Sequence, residues 1–393
     1  MTGWAPELRV QLAAHPFAYP VLRALGRARP VVRLPGLGVV VNSTELAREV
    51  LLDPETFASD GRTAAELWTP VYGPSMLFNM DGASHRAMRR KLTDFFAPGY
   101  ASRLCQDLLD EPVGRMSAAL RRGERVDMVD STCLMAGALA NALIGFPVTG
   151  SGPEREAGYR ALVGQGTQII SMLNLAQPRP SPRQIAKARA IAEQIGAPAS
   201  RAWAAGDDDT PVGRMRRLGL SEAETRGLAS ALLLASTETI STFIPRLVAL
   251  LHDHQALAGV AEAFRAGDSA PLDAAITEAL RVLTPVPIIL RSAARPVTLG
   301  SVRVRAHDVV MISLTNAAKA HGGFYPQRER PPDLRRLWFG AGPHFCLGYP
   351  LAMAQTHAIV GAVLENAPIR VVSRRAARSV LFPKYQRLEV TRA

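Results

Sequence analysis

Apolar residues recur at three- and four-residue spacing through 101–120, 131–145, 157–174, 183–204, 221–252 and 271–283. That is the period of helices with one buried face. Val31 to Val41 reads as two short strands around a Pro-Gly turn. Asn42 then offers a helix cap, with Glu45 at the reciprocal position of a capping box, for a helix from Glu45 to Leu52 that stops before Pro54. The segments near 298–313 and 369–390 look like short strands. The chain is therefore expected to be mainly α with a small β part shared between its two ends. That sharing argues for one domain over residues 1–393. The first 30 residues, rich in Pro and Ala, are expected to wrap the surface.

The most apolar stretch, Leu228 to Leu251, is long enough to cross a bilayer. Ser230, Ser236, Thr237, Glu238, Thr239, Ser241, Thr242 and Arg246 interrupt it, so a buried helix in a large core is expected and no membrane span. The start shows no basic patch followed by an apolar run, so no signal peptide is expected. No repeat of about 20–50 residues is visible.

Composition narrows the class. With 393 residues, 48% hydrophobic and 20% charged, the chain can bury a full core, which excludes a disordered chain or a disulfide scaffold. Cys105, Cys133 and Cys346 read as reduced thiols of an intracellular protein. The charge is unusual: 46 Lys and Arg against 34 Asp and Glu leave +12. Lysine stands only at 91, 187, 319 and 384, so the excess is arginine. It fits nucleic acid, an anionic membrane surface or an acidic protein partner.

The densest signal is Phe339-Gly-Ala-Gly-Pro-His-Phe-Cys-Leu-Gly348. Three glycines let a backbone approach something closely, and the helical pattern resumes just beyond Cys346. The cysteine thus sits at or before a helix start, where free N–H groups favour a thiolate and hence a soft metal ligand. Glu278 and Arg281 fall on one helix face at i,i+3. Leu232 to Thr239 places an acid and hydroxyls inside an apolar helix, which costs stability unless they have work or partners. A Thr bonding back to its own helix and a salt-bridged Glu would also satisfy them. In Met80 to Lys91, His85 and Arg89 lie one turn apart, either as anion ligands or as a basic solvated face.

Taken in this order, from about Val31 to the C-terminus, these segments resemble the cytochromes P450. Phe339, Gly342, Cys346 and Gly348 fill every fixed position of the family's haem-binding loop, and His344 matches its bacterial variant. The resemblance implies a P450 fold with haem between a long central helix and the cysteine-loop helix. It implies haem b (iron protoporphyrin IX), with Cys346 as axial thiolate and Phe339, His344 and Gly348 around it. His85, Arg89 and Arg291 map onto propionate ligands, and Glu238 and Thr239 onto proton delivery. Trp68, Tyr72, Phe78, Gln168, Leu233, Ile288 and Ile289 map onto the substrate pocket. Glu278 and Arg281 match a structural pair of the family, completed by Arg328 or Arg330.

Departures are present. Ser236 replaces a glycine that leaves room for dioxygen, and Met353 and Gln355 replace the usual Arg and Glu. The implied activity is oxidation of a small molecule or short peptide by O2, with electrons from ferredoxin and ferredoxin reductase, in a cytoplasmic protein of secondary metabolism. The alternatives are oxidative aromatic coupling without oxygen insertion, and a non-catalytic P450-like binding module. No basic-aromatic reading motif for nucleic acid is seen. In the family the helix of His85 borders the face nearest the cysteine, so the resemblance implies Arg86, Arg90 and Lys91 as the expected docking face for an acidic ferredoxin.

Overall fold

A computed structural model describes residues 5–59, 63–73, 76–145, 150–172, 180–207, 210–319, 321–329 and 332–393. In chain order it holds α1 (Ala5–Ala14), α2 (Ala18–Ala28), β1 (Val31–Leu34), β2 (Gly38–Val41), α3 (Thr44–Leu52), β3 (Phe57–Ala58) and α4 (Ala64–Tyr72). There follow α5 (Gly82–Leu92), α6 (Pro98–Arg121), β4 (Val126–Asp127), α7 (Met128–Ile144), α8 (Pro153–Ser171), α9 (Pro182–Ala205) and α10 (Pro211–Arg217). The remainder is α11 (Glu222–Asp253), α12 (Leu257–Arg265), α13 (Ala270–Leu283), β5 (Ile288–Ala293), β6 (Val297–Leu299), β7 (Val302–Val304), β8 (Val309–Ser313), α14 (Leu314–Lys319), α15 (Tyr349–Glu365), β9 (Ile369–Ala376) and β10 (Tyr385–Arg392).

Local chemistry sets the helix starts. Ser181 with Gln184 and Ser221 with Glu224 form full capping boxes at α9 and α11. The cap of α3 is Ser43, whose hydroxyl accepts from the Leu46 N–H. Asn42 is not the cap: its amide nitrogen donates instead to the Leu25 and Arg29 carbonyls. The periodicity could not separate two adjacent capping residues.

The strands form a five-stranded sheet in the order β1-β2-β8-β5-β3, parallel only at β2–β8. Separate sheets are β4-β10-β9 and β6-β7. The main core surrounds α11, and a second apolar cluster lies under the five-stranded sheet. Among the described residues α11 is the one helix long and apolar enough to cross a membrane, and 78% of its most apolar window is buried inside the protein. It is a core helix.

The N-terminal segment keeps partly to the surface, with Phe17 and Val21 exposed, but is more ordered than a wrap. It folds into α1 and α2, and Glu7 is buried against Arg246 of α11. Arg246 also donates to the Leu283 carbonyl at 2.9 Å. An acid on the buried face of a short helix is the signal that composition concealed.

Glu278 and Arg281 are both fully buried. Arg281 donates to the two Glu278 oxygens at 3.0 and 2.7 Å, and to the carbonyls of Ala318, Gly322 and Gly323. Glu278 further accepts from the Tyr325 N–H at 3.0 Å and from Arg328 at 3.3 Å. Arg328 thus joins the network; Arg330 lies outside the described residues. Burial pushes the Glu278 carboxyl up, but these donors outweigh it and hold the group below its ordinary range. Glu278→Ala would strand a buried guanidinium. We expect a stability loss of about 3–5 kcal/mol by urea unfolding; a loss below about 1 kcal/mol would show the pair to be dispensable.

Candidate active site

The cysteine loop is a rigid frame. Leu337–Phe339 and Gly342–His344 each form a 3-10 turn, and the Cys346 N–H donates to the Phe339 carbonyl at 2.9 Å. Gly342 has φ +63°, and a Cβ there would lie 2.7 Å from the Leu51 carbonyl oxygen, so only glycine fits. The Phe339 ring meets Tyr349 edge-on at 4.9 Å, and the Arg336 guanidinium lies over the Tyr349 ring, 4.5 Å from its centroid. Cys346 sits three residues before α15, as its sequence context predicts.

Cys346 lies deep in the molecule yet keeps some accessible surface, as a side chain lining an internal space does. Burial pushes its thiol up, against the pull of the Gly348 N–H, Arg89 and the Tyr349 N–H. The expected thiolate therefore needs more than these donors: a metal cation at the sulfur would supply it. Cys105 and Cys133 are pushed up by burial to about 12 and about 11. Among the described residues no three His, Cys, Asp or Glu side chains gather as a metal site. A metal at Cys346 must then bring most of its ligands with it, as a macrocycle does.

Beside the loop, cations converge. The rings of His85 and His344 stack at 3.9 Å between centroids. His344 Nε2 faces Asp81 Oδ1 at 2.7 Å and Ser59 Oγ at 3.3 Å. Asp81 and Ser59 were not singled out by sequence reasoning; the one signal was that Asp81 opens the Asp-Gly-Ala-Ser-His segment. Arg89 donates to the Phe345 carbonyl at 2.7 Å. Arg291 is buried, donates to the Leu290 carbonyl, and forms no ion pair among the described residues. Burial lowers His85 to about 4, helped by His344, Arg89 and Arg291 and opposed by Asp81. Two guanidinium groups, Arg89 and Arg291, beside a carboxylate already engaged by His344 leave a local need for negative charge, which a group bearing two carboxylates meets.

The middle of α11 has one open stripe. Leu232, Ala235, Ser236 and Thr239 keep accessible surface, while Leu233, Leu234, Thr237, Glu238 and Ile240 are buried. Spacing of 3, 1 and 3 puts the four on one face. Thr239 and Ser236 each donate back to the helix, to Ala235 and Leu232 carbonyls at 2.6 Å. Glu238 points off this face: Oε1 accepts from Lys384 Nζ at 2.6 Å and Oε2 from the Thr167 hydroxyl of α8 at 3.3 Å. The simple partners that satisfy a buried acid–hydroxyl pair are thus both present. The sequence did not point to Lys384 or Thr167.

The pocket candidates scatter. Trp68 and Tyr72 pack together on α4 at 5.9 Å. Tyr72 lines a cleft of about 300 Å³ with Val71, Arg189, Glu193, Arg226 and Ser230, and its buried hydroxyl has no partner among the described residues. Phe78 and Gln168 are exposed. Leu233 is fully buried and packs toward Gly166 of α8, while its neighbour Leu232 lies on the open stripe. Strand alternation places Ile289 on the face of Arg291 and Ile288 on the other, so the two isoleucines cannot both face one cavity.

The Cytochrome P450 family model matches residues 270–380, which span the buried ion pair and the cysteine loop. The chain is 27% identical to cytochrome P-450 monooxygenase DoxA of Streptomyces sp. (strain C5), covering 94% of this chain and 93% of that protein. It is 26% identical to the erythromycin C-12 hydroxylase of Saccharopolyspora erythraea, covering 81% and 79%. Its fold matches P450 EryK in complex with erythromycin B (TM-score 0.78, 22% identity, 97% of each chain). It also matches P450BioI in complex with a ligated acyl carrier protein (TM-score 0.81, 19% identity, 98% and 100%). These matches support the recognition of the chain as a cytochrome P450: relatives of that family align with up to 94% of it, and the family model matches residues 270–380. The chain is an oxidoreductase of the P450 monooxygenase type, and the family implies haem. The single deep sulfur and the under-neutralised cations fit that group.

Arg291→Leu separates the two roles of a buried unpaired cation. The haem-free protein should be as stable as before or more so, because an uncompensated charge is gone. The loaded protein should lose haem faster to excess apomyoglobin. Unchanged haem transfer would remove Arg291 from the cofactor site.

Proposed function

We propose that this chain is a cytoplasmic haem b monooxygenase that inserts one oxygen atom of O2 into a small natural product of secondary metabolism. The observation that carries the reading is the fixed loop that keeps Cys346 partly accessible, in a cluster with Arg89 and Arg291, neither of which forms an ion pair among the described residues. In this reading Cys346 would hold the haem iron, its sulfur accepting from the Gly348 and Tyr349 N–H groups. Arg89, Arg291 and His85, with His344 stacked on it, receive the carboxylates. Bound haem with a thiolate ligand supplies O–O cleavage and substrate oxidation.

The protein's own part is protons, shape and access. Thr239 stands on the open stripe, its hydroxyl proton on Ala235 and its lone pairs free to accept a donor from the cavity. Glu238, the next residue, is the acid that exchanges protons with it. Leu232 and Ala235 give the same face an apolar surface for substrate. Two relatives are named for acting on erythromycin and cyclomarin C, which supports a natural-product substrate.

Cys346→Ala should abolish the red-shifted Soret band of the reduced carbon monoxide complex; a retained band would overturn the ligand assignment. With a substrate found by its spin-state shift, the product should gain one oxygen. A loss of two hydrogens would instead establish oxidative coupling.

Electrons would come from ferredoxin, itself reduced by ferredoxin reductase. Arg86 and Arg90 are exposed on α5, while Lys91 donates to the Gly219 carbonyl at 2.8 Å and is less free to act. Reduction by an acidic ferredoxin should slow markedly between low and physiological salt. The double variant Arg86→Glu, Arg90→Glu should lose that salt dependence; an unchanged dependence would place the docking face elsewhere.

A further inference from the structure

The cleft beside α4 has a chemistry of its own. It lies between α4, α9 and α11 and measures about 300 Å³, at the small end of the range for small-molecule sites. The volume exists because two packed helices leave it unfilled. α9 borders it with Ala192 and Gly196, and α11 with Ala223 and Gly227, an Ala–Gly pair at i,i+4 on each helix. Val71 of α4 adds an apolar wall. Along α11 the cleft runs from the exposed Ala223 to the buried Ser230, so it opens to water at one end.

Its charge is lopsided. Arg189 of α9 and Arg226 of α11 both border it, against one acid, Glu193. Glu193 is paired with Arg226, and both side chains are exposed, so the pair contributes little and can be shared. Arg189 forms no ion pair among the described residues. Its Nε donates to the Pro70 carbonyl near the end of α4, which fixes the guanidinium at the rim. Its two terminal nitrogens make no hydrogen bond among the described residues. Such a planar fork suits a carboxylate, which it can grip through two parallel bonds.

The cleft is separate from the face of α11 that carries Thr239. At about 100° per residue, Ala223, Arg226, Gly227 and Ser230 centre on one side of the helix. Leu232, Ala235, Ser236 and Thr239 centre on the other, about 180° away. Ser230 and Thr239 are also about 14 Å apart along the axis. A molecule filling the cleft therefore lies behind α11, away from the open stripe.

We propose that this cleft is an accessory binding site for a small amphiphilic carboxylate. Arg189 takes the carboxylate at the rim, and the Ala–Gly walls of α9 and α11 take an aliphatic or aromatic body. The ligand joins three elements at once: α4 through Val71, α9 through Arg189, and α11 through Ala223 and Gly227. Its binding therefore stabilises the folded protein by linkage.

The test uses the haem-loaded protein, with phenylacetate and octanoate as probes and their neutral amides as controls. Calorimetry reads affinity, the Soret band reads the surroundings of the iron, and a thermal scan reads stability. The carboxylates should bind saturably with a dissociation constant below about 1 mM, leave the Soret band where it was, and raise the unfolding midpoint. The amides should bind roughly tenfold more weakly, as loss of a charge-assisted contact implies. Arg189→Gln should lose a similar factor, and Arg189→Lys should recover part of it. Ala223→Phe, at the exposed end, should block binding by filling the cleft. The reduced carbon monoxide spectrum of all three variants should stay unchanged.

The proposal is wrong if the amides bind as well as the carboxylates, or if neither Arg189→Gln nor Ala223→Phe weakens binding. It is equally wrong if no probe binds below about 1 mM. Binding that shifts the Soret band and ignores both substitutions would place the probes on the haem face and remove the accessory site. Should Arg189→Gln disturb α4 through the lost bond to Pro70, Ala223→Phe, which leaves that bond in place, decides the outcome.

Discussion

The site depends on one buried guanidinium. Arg281 is completely enclosed, and its donors are shared between Glu278 and three carbonyls at 318, 322 and 323. The first belongs to the end of α14, and the other two to the irregular stretch that leads from α14 toward the cysteine loop. A stretch without helix or strand has no hydrogen-bond ladder of its own, so its path must be fixed by side chains. Glu278 extends the same control to the Tyr325 N–H and to Arg328. The loop that carries Cys346 is thereby approached from a fixed direction. Its own bond from the Cys346 N–H to Phe339 and its close pass against Leu51 then fix the sulfur.

A second constraint shapes α11. A helix buried on nearly every side has little water for its hydroxyls, and Ser236, Thr237, Thr239 and Ser241 donate instead to carbonyls one turn back, while the buried Thr242 hydroxyl finds no partner among the described residues. This leaves the helix intact while lining it with oxygen atoms that can still accept. Glu238 cannot be satisfied in that way, because a carboxylate needs donors. The chain brings them from α8 and from the start of β10. The same residue string therefore divides into an open face with hydroxyls and a closed face with an ion pair.

Much of this was legible in the sequence, and for physical reasons. Long helices announce themselves by period, and all six long apolar-periodic segments became helices close to their expected bounds. The cysteine loop was legible because its glycines serve backbone geometry, as Gly342 shows against Leu51. Glu278 and Arg281 were legible because their contact is local, at i,i+3. What escaped was non-local or finely placed. Lys384 reaches Glu238 across 146 positions and Glu7 reaches Arg246 across 239; no spacing rule connects them. Asn42 and Ser43 are both good caps, and the choice between them was settled by the carbonyls that Asn42 could reach at Leu25 and Arg29. Leu232 and Leu233 differ only by a rotation of the helix, and that rotation depends on how α8 packs beside it.

The excess positive charge can now be divided by location. Arg246, Arg281 and Lys384 are tied to the buried acids Glu7, Glu278 and Glu238, so they add to the fold and contribute nothing to the net charge around them. Arg291 and Arg89 are different. Neither forms an ion pair among the described residues, and burial disfavours the charge of each. A protein interior tolerates two such guanidinium groups beside a histidine pair only where something else completes the electrostatics. The sulfur of Cys346 lies within the influence of Arg89 and so forms part of that balance. A cofactor that delivers a metal cation to the sulfur and carboxylates to the arginines resolves both mismatches at once, and neither alone would require it. The remaining surplus lies outside, on faces such as that of Arg86 and Arg90, where water and salt can moderate it.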